Sequence, residues 1–209
     1  MAVRDLLEFS PVYRAYQSAL GISKQLGILV RDYIRPEPGM RILDIGCGPG
    51  TVFGYLPPGL HYEGLDPTLS YIEQARRAFG DRGLFHHGGV EELTQLVEGP
   101  FDLVISLGVL HHLPDSLGGL LARQASGLLK PGGRLLTIDP TLVPEQARIS
   151  RFLVENDRGE HVRPPEGYKA LIAPWFAEVD QTIRHDLLHI PYTEVICEAR
   201  GPKAGEAEA

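Results

Sequence analysis

Apolar and polar positions follow two rhythms along this chain. From Pro11 to Ile34 the apolar residues Tyr13, Tyr16 and Leu20, then Ile22, Leu26, Leu29, Val30 and Ile34, recur at three- and four-residue spacing, which is the period of one helix face. Gly21 interrupts the series, so two short helices are predicted, and Pro36 and Pro38 stop the second. The run Met40–Ile45 is short, largely apolar and followed by glycines, the pattern of a parallel strand buried on both faces.

The chain then alternates. Tyr62–Asp66 predicts a second strand, and Leu69–Phe79 a helix with the apolar face Leu69, Ile72, Ala75 and Phe79. Gly83–His87 is a third strand and Val90–Val97 a short helix. Phe101–Leu107 carries the strongest strand pattern, Leu117–Leu129 a helix, and Arg134–Asp139 a fifth strand opened by Lys130-Pro131-Gly132-Gly133. Strand–helix alternation of this kind predicts an α/β fold with a doubly wound parallel sheet. After Asp139 the rhythm changes. Val143–Val154 and Pro165–Phe176 are expected to be helical, with a loop over Arg158–Pro165, while Glu178–Arg184 and Tyr192–Glu198 alternate as half-exposed strands do. The small, acidic tail Gly201–Ala209 is expected to be disordered.

Composition narrows the partners. With 20 basic and 27 acidic residues the chain carries a formal charge of −7, so it lacks the overall cationic field of a non-specific nucleic-acid or membrane-surface binder. No nucleic acid and no membrane are expected as partners. Two cysteines, Cys47 and Cys197, give no disulfide framework, and there is no apolar run of signal-peptide or membrane-span length. A soluble, cytoplasmic protein is the expectation, its oligomeric state open.

The candidate chemistry centres on Asp44-Ile45-Gly46-Cys47-Gly48-Pro49-Gly50, with glycine at every second position after the first strand and a short helix expected near Thr51. Glycine permits positive φ and removes the Cβ that would block a ligand, and a helix N-terminus offers unpaired N–H groups. At the end of the second strand stands Asp66, where a carboxylate can accept hydrogen bonds from ribose hydroxyls. The loop reads G-x-G-x-G rather than the dinucleotide G-x-G-x-x-G, because Thr51 stands three residues after Gly48, and it holds no Lys or Arg for a phosphate. An adenosine joined to an amino acid fits this pattern better than a pyrophosphate.

These residues resemble the class I S-adenosylmethionine-dependent methyltransferases, in a bacterial small-molecule form. The resemblance runs from Met40 to about Asp139. Its motifs come in order: Ile42–Gly50, Asp66, Gly88-Gly89-Val90-Glu91-Glu92-Leu93, Phe101–Val104 leading to Leu110-His111-His112-Leu113-Pro114, and Leu129–Gly133. It implies a Rossmann-like seven-stranded sheet, mostly parallel with a C-terminal antiparallel hairpin and helices on both faces. A helical cap over residues 1–38, a methyltransferase domain over 39–200 with a helical substrate insertion around 141–177, and the tail 201–209 would make up the chain. It also implies the cofactor S-adenosylmethionine, the product S-adenosylhomocysteine, and in-line transfer of a methyl group to an oxygen or nitrogen of a small-molecule acceptor.

By the same resemblance Asp44, with Gly46, Cys47, Gly48 and Gly50, would hold the methionine moiety. Asp66 would hold the ribose, and Pro67, the Val90 N–H and Glu91 the adenine. The Ser106-Leu107 backbone would face the ammonium, with His112 capping the pocket and Tyr13 forming a lid. The family often has an acidic residue where this chain has Gly89. His111 and Asp139 are the candidate general bases, the alternative being that His111 caps a helix or packs and that Asp139 is structural. Arg158 and Arg163 could clamp an acidic acceptor or be solvated charges. Neither the pair His86-His87 nor the pair His111-His112 has an acidic or thiol partner at ligand spacing, so no metal is expected. Cys47 has no basic neighbour to make it a thiolate. A non-catalytic module binding the same nucleoside, and an NAD-dependent oxidoreductase, are the competing readings.

Overall fold

The computed structural model describes residues 20–203. A seven-stranded sheet forms its centre: β1 Arg41–Ile45, β2 His61–Asp66, β3 Leu84–His87, β4 Phe101–Leu107, β5 Leu129–Pro140, β6 Phe176–Arg184 and β7 Glu194–Pro202. The spatial order is β3-β2-β1-β4-β5-β7-β6. The first five strands are parallel. β7 enters antiparallel between β5 and β6, so the expected C-terminal hairpin is present and its second strand is the inner one.

Among the described residues six α-helices accompany the sheet: α1 Ile22–Ile28, running on as a π-helical stretch over Leu29–Ile34, then α2 Leu69–Phe79, the single turn α3 Leu93–Leu96, α4 Asp115–Leu128, α5 Arg148–Glu155 and α6 Pro165–Ile172. Successive strand residues point to opposite faces, and the core divides accordingly. Leu43, Val104 and Leu135 pack with Leu121 and Ala125 of α4 and Tyr168 and Ile172 of α6. Ile42, Ile105, Leu136 and Ile138 pack on the other face with Leu26 and Leu29 of α1 and Ile72 and Ala75 of α2. The near-continuous apolar runs of β1 and β4 are therefore buried on both sides, as the sequence required.

Several boundaries differ from expectation, each for a local reason. The expected first helix, with Tyr13, lies outside the described residues. No α-helix follows the glycine loop; turns through Thr51 lead only to a 3₁₀ turn over Phe53–Tyr55, so an α-helical N-terminus is not part of that loop. β5 begins at Leu129 rather than Arg134, because the Lys130–Gly133 segment is carried as an irregularity against β4, with Gly132 at φ +82°. α5 starts at Arg148 because Gln146 Oε1 takes the Val143 N–H at 3.0 Å and holds the preceding segment in a turn. β7 continues through Gly201 and Pro202, two residues into the segment expected to be disordered, since it pairs with β6 as far as Phe176 opposite Pro202. Residues 204–209 lie outside the described residues.

Because β1–β5 are parallel, their carboxyl ends share one edge. The order reverses between β1 and β4, which opens a crevice at that edge.

Candidate active site

The crevice holds a cavity of about 280 Å³. One wall is α1, through Ile22, Gln25, Leu26 and Leu29. The other is the glycine loop and the ends of β1, β4, β5 and β7, through Asp44, Gly46, Gly48, Leu107, Ile138 and Glu194. The three glycines of the loop all have positive φ but serve different ends. A Cβ on Gly46 would lie 2.3 Å from Val109 Cγ2, and one on Gly50 would lie 2.7 Å from the Phe79 ring. Those two glycines let the loop pack. Only Gly48 of the three, at φ +54°, faces open space among the described residues, and it lies on the cavity wall.

Asp44 is 2% exposed and lines the cavity, and the Tyr62 hydroxyl donates to its Oδ2 at 2.6 Å. Burial pushes its carboxyl up to about 7, against the opposing pull of that hydrogen bond. Asp66, at the end of β2, accepts the Gly48 N–H at 2.9 Å on one oxygen and the Thr68 N–H at 2.8 Å on the other. It therefore ties the loop to the second strand while each oxygen keeps a further lone pair. Cys47 fits against Gly64, where a Cβ would come within 2.7 Å of its sulfur. Burial and the nearby carboxylates of Asp44 and Asp66 push its thiol far up, so it carries no thiolate.

Five of the residues singled out in the sequence, Asp44, Gly46, Cys47, Gly48 and Leu107, thus line one cavity. Asp66 joins them through Gly48. Pro67 is exposed just past β2, its carbonyl bonded to His87 Nε2 at 3.0 Å. Val90 is buried in the core past β3. Glu91 is exposed, while Glu92 takes the Gly89 N–H at 3.0 Å. All lie along the same sheet edge, but His112 is outside the cavity wall, exposed, its ring 4.0 Å from that of His111.

The candidate bases form a cluster of their own. His111 and Asp139 are brought together, but not on the cavity wall. Asp139 Oδ1 takes the His111 backbone N–H at 3.1 Å and meets ring Nδ1 at 2.8 Å, while Asp157 Oδ1 lies 3.4 Å from Nε2. Tyr192 and the Gly159 N–H donate to Asp157 in turn, at 2.6 and 2.9 Å. Burial alone would push His111 down, but the two carboxylates outweigh it and raise the ring to about 9. An imidazolium with both nitrogens facing carboxylates has no lone pair to accept a proton. Burial raises Asp139, although His111 opposes it, and the His111, Tyr192 and Gly159 contacts hold Asp157 well below the usual range despite its partial burial. This cluster straps the segment after α5 to the turn after β4.

Arg163 also departs from the expected clamp. It is 8% exposed and donates to the carbonyls of Leu110, His161 and Leu113 at 2.6–2.9 Å and to Asp115 at 2.7 Å. Its donors are turned inward. Arg158 is exposed. What the sequence did not reveal is Glu194, the first residue of β7, which is 7% exposed on the cavity wall and accepts from Gln25 Nε2 at 2.8 Å on both oxygens.

A family model described as a methyltransferase domain matches residues 43–135, the stretch from β1 into β5. The chain is 32% identical over 171 residues to a ubiquinone biosynthesis O-methyltransferase of Xylella fastidiosa, an alignment covering 76% of this chain and 66% of that one. It is 29% identical over 174 residues to a tRNA U34 carboxymethyltransferase of Citrifermentans bemidjiense, covering 79% and 48%. The chain thus spans between about half and two thirds of the length of these relatives. Among solved structures, the plantazolicin methyltransferase BamL, in complex with a triazolic desmethylPZN analog and S-adenosylhomocysteine, shares the fold with a TM-score of 0.63 at 16% identity, over 88% of this chain and 85% of that one. With the ordered motifs, the sheet order and the glycine-loop cavity in place, the chain belongs to the class I S-adenosylmethionine-dependent methyltransferases, whose cofactor is S-adenosylmethionine. One of these relatives carries tRNA in its name, so kinship does not support the exclusion of nucleic acid drawn from net charge. Among the described residues, no helix is long and apolar enough to cross a membrane.

Proposed function

We propose that this chain transfers the methyl group of S-adenosylmethionine to an oxygen or nitrogen of a small-molecule acceptor, with oxygen favoured. The observation that carries the reading is the cavity at the β1/β4 switch point, where a positive-φ glycine facing open space adjoins a buried carboxyl. The residues suit the cofactor. Asp44 would hold the ammonium of its methionine part, the Gly48 backbone would approach it closely, and Leu107 would face the same moiety. Asp66 would hold the ribose hydroxyls with its remaining lone pairs, and Pro67 and the Val90 N–H would flank the adenine.

When bound, the cofactor supplies a methyl group already activated by a sulfonium. The chain's task is then to align the acceptor and exclude water, and alignment alone is worth up to ~7–11 kcal/mol in well-oriented models. A cavity of about 280 Å³ suits a compact ligand. The formal charge of −7 disfavours a polyanionic acceptor, and the Xylella fastidiosa relative is by name an O-methyltransferase. The test offers S-adenosylmethionine with catechols, with amines and with transcribed tRNA, and reads S-adenosylhomocysteine release and the methylated product by mass spectrometry. Methylated catechol or amine is expected. Methylation of tRNA alone, or binding of S-adenosylhomocysteine with no turnover of any acceptor, overturns the proposal, the latter marking a non-catalytic binding module.

A further inference from the structure

The cavity has a second carboxyl that the cofactor assignment leaves unused. Asp44 and Glu194 both line it, Asp44 from β1 and Glu194 from the start of β7, where the register sets Glu194 opposite Pro140 at the end of β5. Glu194 is 7% exposed, and among the described residues no Lys, Arg or His forms an ion pair with it. Among the described residues the one hydrogen-bond partner of its carboxylate is the Gln25 amide, shared between both oxygens at 2.8 Å. A carboxylate has about four acceptor sites, so lone pairs remain on the cavity side. Burying a carboxylate without a charged partner is costly.

Among the described residues, the other titratable groups near the cavity are engaged elsewhere. His111 has both nitrogens against carboxylates, and Asp139 is 1% exposed beneath it. Cys47 is a buried neutral thiol, and Asp44 is engaged by Tyr62 beside the glycine loop. We infer that Glu194, oriented by Gln25, is the catalytic base of this site, accepting the proton of a hydroxyl acceptor on a carboxylate oxygen. This rests on the proposed function. The acceptor's O–H bond breaks with its proton going to Glu194 and its electron pair staying on oxygen. That oxygen forms the new bond to the methyl carbon as the carbon–sulfur bond breaks with its pair left on sulfur.

The surroundings suit this task. Burial pushes the Glu194 carboxyl up to about 7, with Gln25 pulling down, Asp139 of β5 pushing up, and the charges of His111 and of Arg184 on β6 pulling down. The Tyr192 phenol, two residues upstream, also faces it. A base whose proton affinity lies near neutrality combines a useful ionised fraction with real driving force.

The test uses the full chain. Carboxyl ¹³C NMR of glutamate-labelled wild type, with the Glu194 resonance identified by its loss in Glu194→Gln, is expected to show titration at about 7. With catechol and saturating S-adenosylmethionine, kcat should rise with pH through the same region. Glu194→Gln should lower kcat ~10²-fold and abolish that limb while leaving the dissociation constant of S-adenosylhomocysteine within about twofold. Glu194→Asp, which keeps a carboxylate, should retain the limb at reduced rate. Titration of Glu194 in the ordinary carboxylate range, or Glu194→Gln turning over at the wild-type rate with its pH limb intact, overturns the assignment while leaving the proposed function standing. Wild type that methylates no acceptor overturns the proposed function, and the base assignment with it.

Discussion

Replacing Asp44 by asparagine is expected to stabilise the ligand-free fold at neutral and alkaline pH. Asp44 is 2% exposed and its carboxyl is raised from the ordinary 3.8 to about 7, chiefly by burial. The folded state therefore holds its proton more tightly than the unfolded state. Stability should fall as pH climbs from the ordinary carboxylate value towards about 7 and stay level above it. The gap in proton affinity corresponds to on the order of 4 kcal/mol. The cavity wets one side of the carboxyl, so the measured gain is expected at or below that figure. Asparagine removes the charge and keeps an oxygen for the Tyr62 hydroxyl. Glu194 is present in both proteins and cancels to first order. Urea unfolding of wild type and Asp44→Asn across about pH 4 to pH 9 should give a stability difference that grows by up to ~1.4 kcal/mol per pH unit and then levels off. The same variant should bind S-adenosylhomocysteine at least ~10-fold more weakly, the familiar opposition of stability and function. A pH-independent difference, or a variant less stable than wild type at alkaline pH, would refute the reasoning.

Three further outcomes follow from the same geometry. Asp66→Ala removes the acceptor of the Gly48 and Thr68 N–H groups, each a charge-assisted bond of ~1.5–3 kcal/mol, and should weaken S-adenosylhomocysteine binding at least ~10-fold by calorimetry; unchanged affinity contradicts its role. Gly46→Ala puts a Cβ 2.3 Å from Val109 Cγ2 at φ +80° and should cost ~1–3 kcal/mol in urea unfolding, with partial recovery in the Gly46→Ala/Val109→Ala double variant. His111 is raised above its ordinary 6.5 to about 9, so its contribution to stability is full below 6.5 and is lost as pH rises through about 9. Wild type should weaken over that window and His111→Gln should not, as read by thermal unfolding; parallel curves would show that the His111–Asp139 contact stores no such energy.

The parts of the fold that were legible in the sequence are those whose local pattern has one solution. Leu69–Phe79 and Phe101–Leu107 form over the predicted residues, because an isolated amphipathic stripe and an uninterrupted apolar run leave no competing element. The edges were harder. Lys130-Pro131-Gly132-Gly133 has the composition of a break, yet pairing of Leu129 with Phe101 draws it into β5. Pro49-Gly50 looks like the entry to a helix, but Gly50 sits at φ +78° where a Cβ would meet the Phe79 ring, and the chain makes only turns before Phe53.

In the site, Asp44, Gly46, Gly48 and Asp66 could be found because strand, turn and next strand are consecutive in the chain. Glu194 could not. Its strand alternates like any half-exposed one, and only the insertion of β7 between β5 and β6 brings its first residue to the cavity. An acidic residue directly before Val195-Ile196 was the one signal in the sequence. For His111 the pair in the turn after β4 marked a real cluster, but Asp157, which faces its second nitrogen, comes from a segment some forty-six positions later.

The most direct test is a crystal structure of the full chain with S-adenosylhomocysteine bound. The account predicts the ligand in the cavity between α1 and the Gly46–Gly50 loop, its amino-acid end against Asp44 and its ribose against Asp66. Ligand density elsewhere on the molecule, or an empty cavity at saturating ligand, would contradict it.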